Sequence, residues 1–236
     1  MSSGKKQAQD RESARPPQAA PGMRIGLLGG SFNPPHEAHR AISLEALRRL
    51  KLDRVWWLVT PRNPLKDSAA LPSLEARVES AQTRARHPRI DVTGFSVGSV
   101  YTADVLAALK RRFPGVRFVW LMGADNLPAF HRWRDFEDIF ARVPIAVFDR
   151  PGYRLKARAS RAAQRFADYR IDESDAGGLA DLIPRPGPSS AIRCRACPRP
   201  RSAPGPGAKS TRKKPRATSP IESTAGPILF LWGEAA

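Results

Sequence analysis

Apolar residues along this chain gather into short blocks that alternate between two periods. Met23-Arg24-Ile25-Gly26-Leu27-Leu28 is a brief apolar run closed by Gly29-Gly30, the pattern of a buried parallel strand opening into a tight loop. Downstream, Ala41, Ile42, Leu44, Leu47 and Leu50 recur at helical spacing. Residues 54–60 form a second β-rich run broken by Pro61, and the loop Arg62-Asn63-Pro64-Leu65-Lys66-Asp67 follows. A helix is predicted from about Ser73, a suitable N-cap, to Arg86, and Ile90-Asp91-Val92 is a third strand. Tyr101-Thr102-Ala103-Asp104 opens another helix that turns Val105, Leu106 and Leu109 inward until Pro114. Residues 116–122 are a fourth strand, ending in Gly123-Ala124-Asp125-Asn126, and Ile145-Ala146-Val147-Phe148 is a fifth.

Strands alternating with helices imply right-handed crossovers, hence an α/β, Rossmann-like, doubly wound parallel sheet of about five strands. Ligands of such sheets bind beyond the carboxyl ends of the strands. Ser31, Asn63, Asp125 and Arg150 each follow a predicted strand, so the sequence places them along one rim.

The stretch Gly29-Gly30-Ser31-Phe32-Asn33-Pro34-Pro35-His36-Glu37-Ala38-His39 reads as a nucleotide-triphosphate site. Its glycines let backbone N–H groups approach a phosphate, and the following helix adds its positive end. His36 and His39, three apart, fall on one face of the first helical turn, where both reach a phosphate oxygen. A metal triad has no support: His87 precedes Pro88 in a turn, and His131 is isolated from the first pair.

Composition bounds the domain count. The 236 residues suffice for one well-buried domain with tails, and the net charge of +18 is unevenly spread. Residues 1–22, 23–183 and 184–236 carry +2, +8 and +8, and the last segment also holds 10 of the 23 prolines and both cysteines. Residues 1–22 lack the apolar core of a secretory signal and read as a disordered leader. Residues 23–183 form the domain, and 184–236 read as a disordered Pro/Arg-rich tail, apart from the apolar Ile228–Trp232, whose exposure would favour aggregation. No run of about 18 apolar residues is present, and a cysteine-free body needs no oxidising compartment, so a cytoplasmic location is expected.

Taken in order, GGSFNPPHEAH, the NPLK loop, VYTAD, GADN, FHRWRDF and DRPGY make residues 23–183 similar to bacterial nicotinate-nucleotide adenylyltransferases, members of the (H/T)-x-G-H nucleotidyltransferase superfamily. The resemblance implies adenylyl transfer from ATP to nicotinate mononucleotide, giving nicotinate adenine dinucleotide and pyrophosphate in NAD biosynthesis. The acceptor's own phosphate is then the nucleophile, so positioning and charge stabilisation are the enzyme's tasks. His36 and His39 would be the catalytic pair. Gly29, Gly30, Ser31, Phe32, Gly123, Asp125 and Arg150 would serve ATP, and Asn33, Lys66, Thr102, Asp104 and Trp133 the acceptor, Trp133 by stacking on the pyridine ring. Mg2+ would arrive with ATP. One departure stands in the signature itself, where Ala38 replaces the usual glycine; alanine is the favoured residue in a helical turn, so activity is expected to survive.

The family's late Ser-Ser-Thr-x-Ile-Arg motif has only a shortened counterpart, Ser189-Ser190-Ala191-Ile192-Arg193, beside a lone Cys194-x-x-Cys197. Back-translation of residues 191–203 with permitted codons, read two bases later, yields His-Pro-Leu-Ser-Ser-Leu-Ser-Ser-Thr-Ala-Ile-Arg. A change of reading frame near residues 180–186 explains both oddities. Alternatives stand beside the main reading. The acceptor could be nicotinamide mononucleotide or phosphopantetheine, or the chain could be a catalytically impaired nucleotide-binding protein whose basic tail touches nucleic acid non-specifically.

Overall fold

Seven parallel strands form one sheet in the order β3-β2-β1-β4-β5-β7-β6 in the computed structural model, which describes residues 16–61, 71–95, 97, 99–182 and 227–231. The strands are β1 Arg24–Gly30, β2 Arg54–Val59, β3 Ile90–Thr93, β4 Arg117–Gly123, β5 Ile145–Phe148, β6 Arg170–Ile171 and β7 Ile228–Leu231. Between them lie α1 Glu37–Arg49, α2 Leu74–Ala85, α3 Thr102–Arg112, α4 Leu127–Phe130, α5 Phe136–Arg142, α6 Arg154–Arg158 and α7 Arg161–Arg165, with a 3₁₀ stretch at Glu173–Asp181. No helix among the described residues is long and apolar enough to cross a membrane.

Side-chain alternation splits the core into two layers, one on each face of the sheet. Ile25, Leu27, Trp56, Trp120, Ile145, Val147, Ile228 and Phe230 face α3, α4 and α5, while Leu28, Trp57, Val59, Leu121, Ala146, Phe148, Leu229 and Leu231 face α1 and α2. The adjacent tryptophans of β2 thus serve opposite layers, both fully buried. Helices on both faces leave the carboxyl ends of the central strands β1 and β4 as the open rim of the sheet.

The sheet has two strands more than the sequence pattern suggested. β6 is only two residues long and lies in a polar stretch, too short for periodicity to register. β7 was hidden by its neighbours in sequence. Ile228–Leu231, the apolar part set apart from the rest of the tail, are inserted between β5 and β6 and buried on both faces. Residues 183–226 and 232–236 lie outside the described residues, as do Ser189–Arg193 and both cysteines.

Candidate functional site

The first motif begins one step later than its glycines. Gly29 and Gly30 still belong to β1, paired with Leu58 and Val59, and the Gly30 carbonyl accepts the Thr60 N–H at 2.9 Å. Glycine is required at 29 because a Cβ there would meet Cη2 of Trp120 at 2.5 Å. The turn itself starts at Ser31. Phe32 takes the left-handed conformation, φ 46°, a strained state for a bulky residue of the kind that functional turns hold. Its ring is buried, stacked on Trp57 at 5.0 Å and set below His39 at 4.7 Å, so its side chain is a floor for His39, while Asn33 is exposed.

His36 and His39 come together at the start of α1. His36 is the extended N-cap residue, and its ring stacks on that of His39 at 3.9 Å. The His36 N–H donates to His39 Nδ1 at 3.2 Å, so neutral His39 carries its proton on Nε2, the nitrogen left free to donate to a ligand. Burial, with smaller contributions from His36 and Arg150, lowers the His39 pKa to about 4, so the ring is neutral at ordinary pH. One turn on, Ser43 anchors the helix: its hydroxyl donates to the His39 carbonyl at 2.8 Å and accepts Trp57 Nε1–H at 2.7 Å. Ala38 is the second residue of α1, inside this first helical turn.

Across the rim, β4 ends at Gly123 and the chain turns through Asp125. The carboxylate folds back over Gly123, where a Cβ would lie 2.4 Å from Asp125 Oδ1. Asp125 Oδ2 accepts from Arg150 Nη1 at 2.8 Å, whereas Oδ1 is buried without a hydrogen-bond partner among the described residues. Asp125 and Arg150 both act electrostatically on His39, so the ion pair stands within reach of the imidazole's field.

A second group surrounds the start of α3. Thr102 is its first residue, and Asp104 accepts from Ser99 Oγ and Arg134 Nη2 at 2.5 Å each. These donors, Ser99 first, hold the Asp104 pKa below the usual carboxylate range. The Arg134 guanidinium also covers the Tyr101 ring at 3.7 Å. Trp133, half-buried, packs edge-on to Trp120 at 6.2 Å and over Phe130 at 4.9 Å. Trp120 therefore links the two groups, with its ring against Gly29 on one side and Trp133 on the other. Lys66 lies outside the described residues.

Three residues with roles here escaped the sequence reading. Arg77 falls on the inner face of α2 with Ala81 and Ala85, and that four-residue spacing was the available signal. Ser43 is a lone polar residue on the apolar stripe of α1, likewise visible as a break in period. Arg134 is one of three arginines in residues 132–142, with Arg132 and Arg142, and no sequence feature separated it from them.

The cytidylyltransferase-like family matches residues 27–211. A Methylorubrum extorquens (strain PA1) protein described as a probable nicotinate-nucleotide adenylyltransferase is 57% identical over 178 residues, covering 72% of this chain and 96% of its own. A Bradyrhizobium sp. (strain BTAi1) protein of the same description is 57% identical over 161 residues, covering 67% of this chain and 84% of its own. Among solved structures, Plasmodium falciparum nicotinic acid mononucleotide adenylyltransferase complexed with NaAD superposes with a TM-score of 0.51 at 18% identity, over 58% of this chain and 72% of that one, a likeness of fold. The chain belongs to the cytidylyltransferase-like nucleotidyltransferase family and, within it, to the nicotinate-nucleotide adenylyltransferases.

Proposed function

We propose that this chain transfers the adenylyl group of ATP to nicotinate mononucleotide, forming nicotinate adenine dinucleotide and pyrophosphate. The observation that carries the reading is the 57% identity to a relative of that description over 96% of the relative's length. Chemically, a phosphate oxygen of the acceptor attacks the α-phosphorus of ATP as the bond to pyrophosphate breaks. The nucleophile is already anionic, so no side-chain base is needed.

In this reading the chain's residues position and stabilise. Neutral His39 donates from Nε2 to a phosphate oxygen, His36 joins it, and the amino end of α1 adds its dipole and free N–H groups. Gly29, Gly30, Ser31 and the Phe32 backbone line the same side. Asp125 Oδ1, buried and unpartnered among the described residues, suits a ribose hydroxyl, with Gly123 leaving room and Arg150 close to the phosphates. Asn33, Thr102, Asp104 and Trp133 receive the acceptor, Trp133 by its ring face, with Lys66 as a further phosphate contact. Among the described residues no three His, Cys, Asp or Glu side chains gather to hold a metal. That donor set suits Mg2+ carried on the phosphate and water oxygens of ATP, where it offsets polyphosphate charge. The catalytic unit comprises residues 23–183 with β7 added, working in the cytoplasm on its charged substrates.

Incubation with ATP, Mg2+ and nicotinate mononucleotide tests the reading, with nicotinamide mononucleotide and phosphopantetheine as competing acceptors. Dinucleotide and pyrophosphate are expected in equal amounts, fastest with the nicotinate acceptor. Faster turnover of either competitor would replace it.

A further inference from the structure

Arg77 is a charged residue where α2 should bury an apolar one. It is 3% exposed, on the helix face shared with Ala81 and Ala85. Four hydrogen bonds tie its guanidinium to carbonyl oxygens of described residues. Nη1 donates to Ser31 and to Thr60 at 2.8 Å each, Nη2 to Pro61 at 3.0 Å and Nε to Pro72 at 3.1 Å.

These carbonyls belong to three separate backbone segments. Ser31 opens the turn after β1, Thr60 and Pro61 end β2, and Pro72 precedes Ser73, whose hydroxyl caps α2. Burying a cation is costly, and small apolar residues at this position would pack α2 against the sheet without it. The guanidinium therefore holds something that packing alone would not hold. Its fixed planar fork matches several oxygens at once, which a lysine ammonium on a flexible stem does not. Ser31 directly precedes Phe32, and Phe32 is the floor beneath His39, so a shift of the Ser31 carbonyl passes in two steps to the imidazole.

We propose that Arg77 is a positioning residue of the nucleotide site: its buried guanidinium fixes the turn that carries Ser31 and Phe32 against the end of β2 and against Pro61 and Pro72, which flank residues 62–70. The proposal rests on the adenylyl-transfer reading for its catalytic consequence. Its structural content stands independently of that reading.

Arg77→Lys and Arg77→Met in the full chain separate the two. Positioning by Arg77 predicts that Arg77→Lys, folded by circular dichroism, loses about 10²-fold in kcat per folded molecule, while the KM values for ATP and nicotinate mononucleotide move far less. It also predicts faster amide hydrogen exchange at Phe32 and Thr60 in both variants, with exchange in β4 and β5 unchanged. A merely structural arginine would lower the melting temperature and leave kcat per folded molecule intact, and that result overturns the proposal. Should the unaltered chain form no dinucleotide, the adenylyl-transfer reading falls, and exchange decides the rest: unchanged protection at Phe32 and Thr60 then overturns the positioning role.

Discussion

His39 Nδ1 accepts the backbone N–H of His36 at 3.2 Å while the two imidazoles stack at 3.9 Å. One hydrogen bond thus caps the helix and sets which nitrogen of His39 faces a ligand. With its pKa lowered to about 4, chiefly by burial, His39 binds fewer protons in the folded state than in the unfolded state between pH 6.5 and 4. The His39 contribution to stability is therefore whole above pH 6.5 and is lost as pH drops through this window. The shift corresponds to a loss of up to about 3 kcal/mol. Urea unfolding at pH 7 and pH 4.5 should show this loss in the unaltered chain and little of it in His39→Gln. Equal pH dependence in the two proteins would assign the effect elsewhere.

Two glycines separate fold from site. Gly123→Ala drives a methyl into Asp125 Oδ1 and disturbs the pair with Arg150, a group at the rim and not in the core. The loss of one charge-assisted contact, about 1.5–3 kcal/mol, should raise the KM for ATP roughly tenfold or more with little change in melting temperature. Gly29→Ala instead presses on the buried ring of Trp120 and should cost about 1–3 kcal/mol of stability. Thermal melts and ATP kinetics on both variants check the contrast.

What the sequence revealed and what it withheld follow physical lines. β1 through β5 were legible because each is an apolar run between turn residues, α1 and α3 because apolar positions recur along one face, and α2 through its N-cap Ser73. The rim followed from strand ends alone; of its residues Asp125 and Arg150 form an ion pair at 2.8 Å, and Asn63 lies outside the described residues. β6 has too few residues to show a period, and β7 stands in sequence whose prolines and arginines mask it. Phe32 illustrates a different limit. Its place in the motif was evident, but the positive φ that turns its ring beneath His39 depends on contacts with Trp57, distant in sequence.

Ser43→Ala should weaken the chain more than an ordinary serine truncation. The hydroxyl accepts the buried Trp57 Nε1–H as well as donating to the part-buried His39 carbonyl, so alanine leaves the indole donor unmet. Leaving a buried donor unsatisfied costs about 1–3 kcal/mol. Denaturant unfolding should report that loss, and kcat should fall less than in His39→Ala, because the imidazole and its His36 contact remain. A stability equal to the unaltered chain would mean that Trp57 finds another acceptor.

Arg134→Ala tests the acceptor side. Arg134 bridges Asp104 and the Tyr101 ring from a half-exposed position, so its ion pair contributes little to folding, under about 1 kcal/mol. What it sets is the geometry at the start of α3, where Thr102 and Asp104 stand. The KM for nicotinate mononucleotide should rise severalfold while the KM for ATP stays constant. A matching rise in the ATP value would place Arg134 on the wrong side of the site.

β7 bears on the reading frame. Its last residue is tied to the rim, since the Leu231 carbonyl accepts the Asp149 N–H at 2.9 Å, next to Arg150. In the proposed reading Arg150 stands close to the phosphates, so the end of β7 at Leu231 lies on that side of the site. The slot between β5 and β6 needs an apolar strand, and Ile228–Leu231 fill it from far along the chain after the 3₁₀ stretch ends at Asp181. Read two bases later, the codons for residues near 186 can encode a segment readable as Trp-Thr-Phe, followed through His-Pro-Leu-Ser-Ser-Leu by Ser-Ser-Thr-Ala-Ile-Arg. Such a segment could take the same slot by a short connection and bring hydroxyls and an arginine to the phosphates. Sequencing the gene should recover that motif in the alternative frame, and its absence removes the idea. Where it is recovered, a frame-restored protein should bind ATP at least tenfold more tightly than the present chain, as two or three charge-assisted hydrogen bonds at about 1.5–3 kcal/mol each would allow.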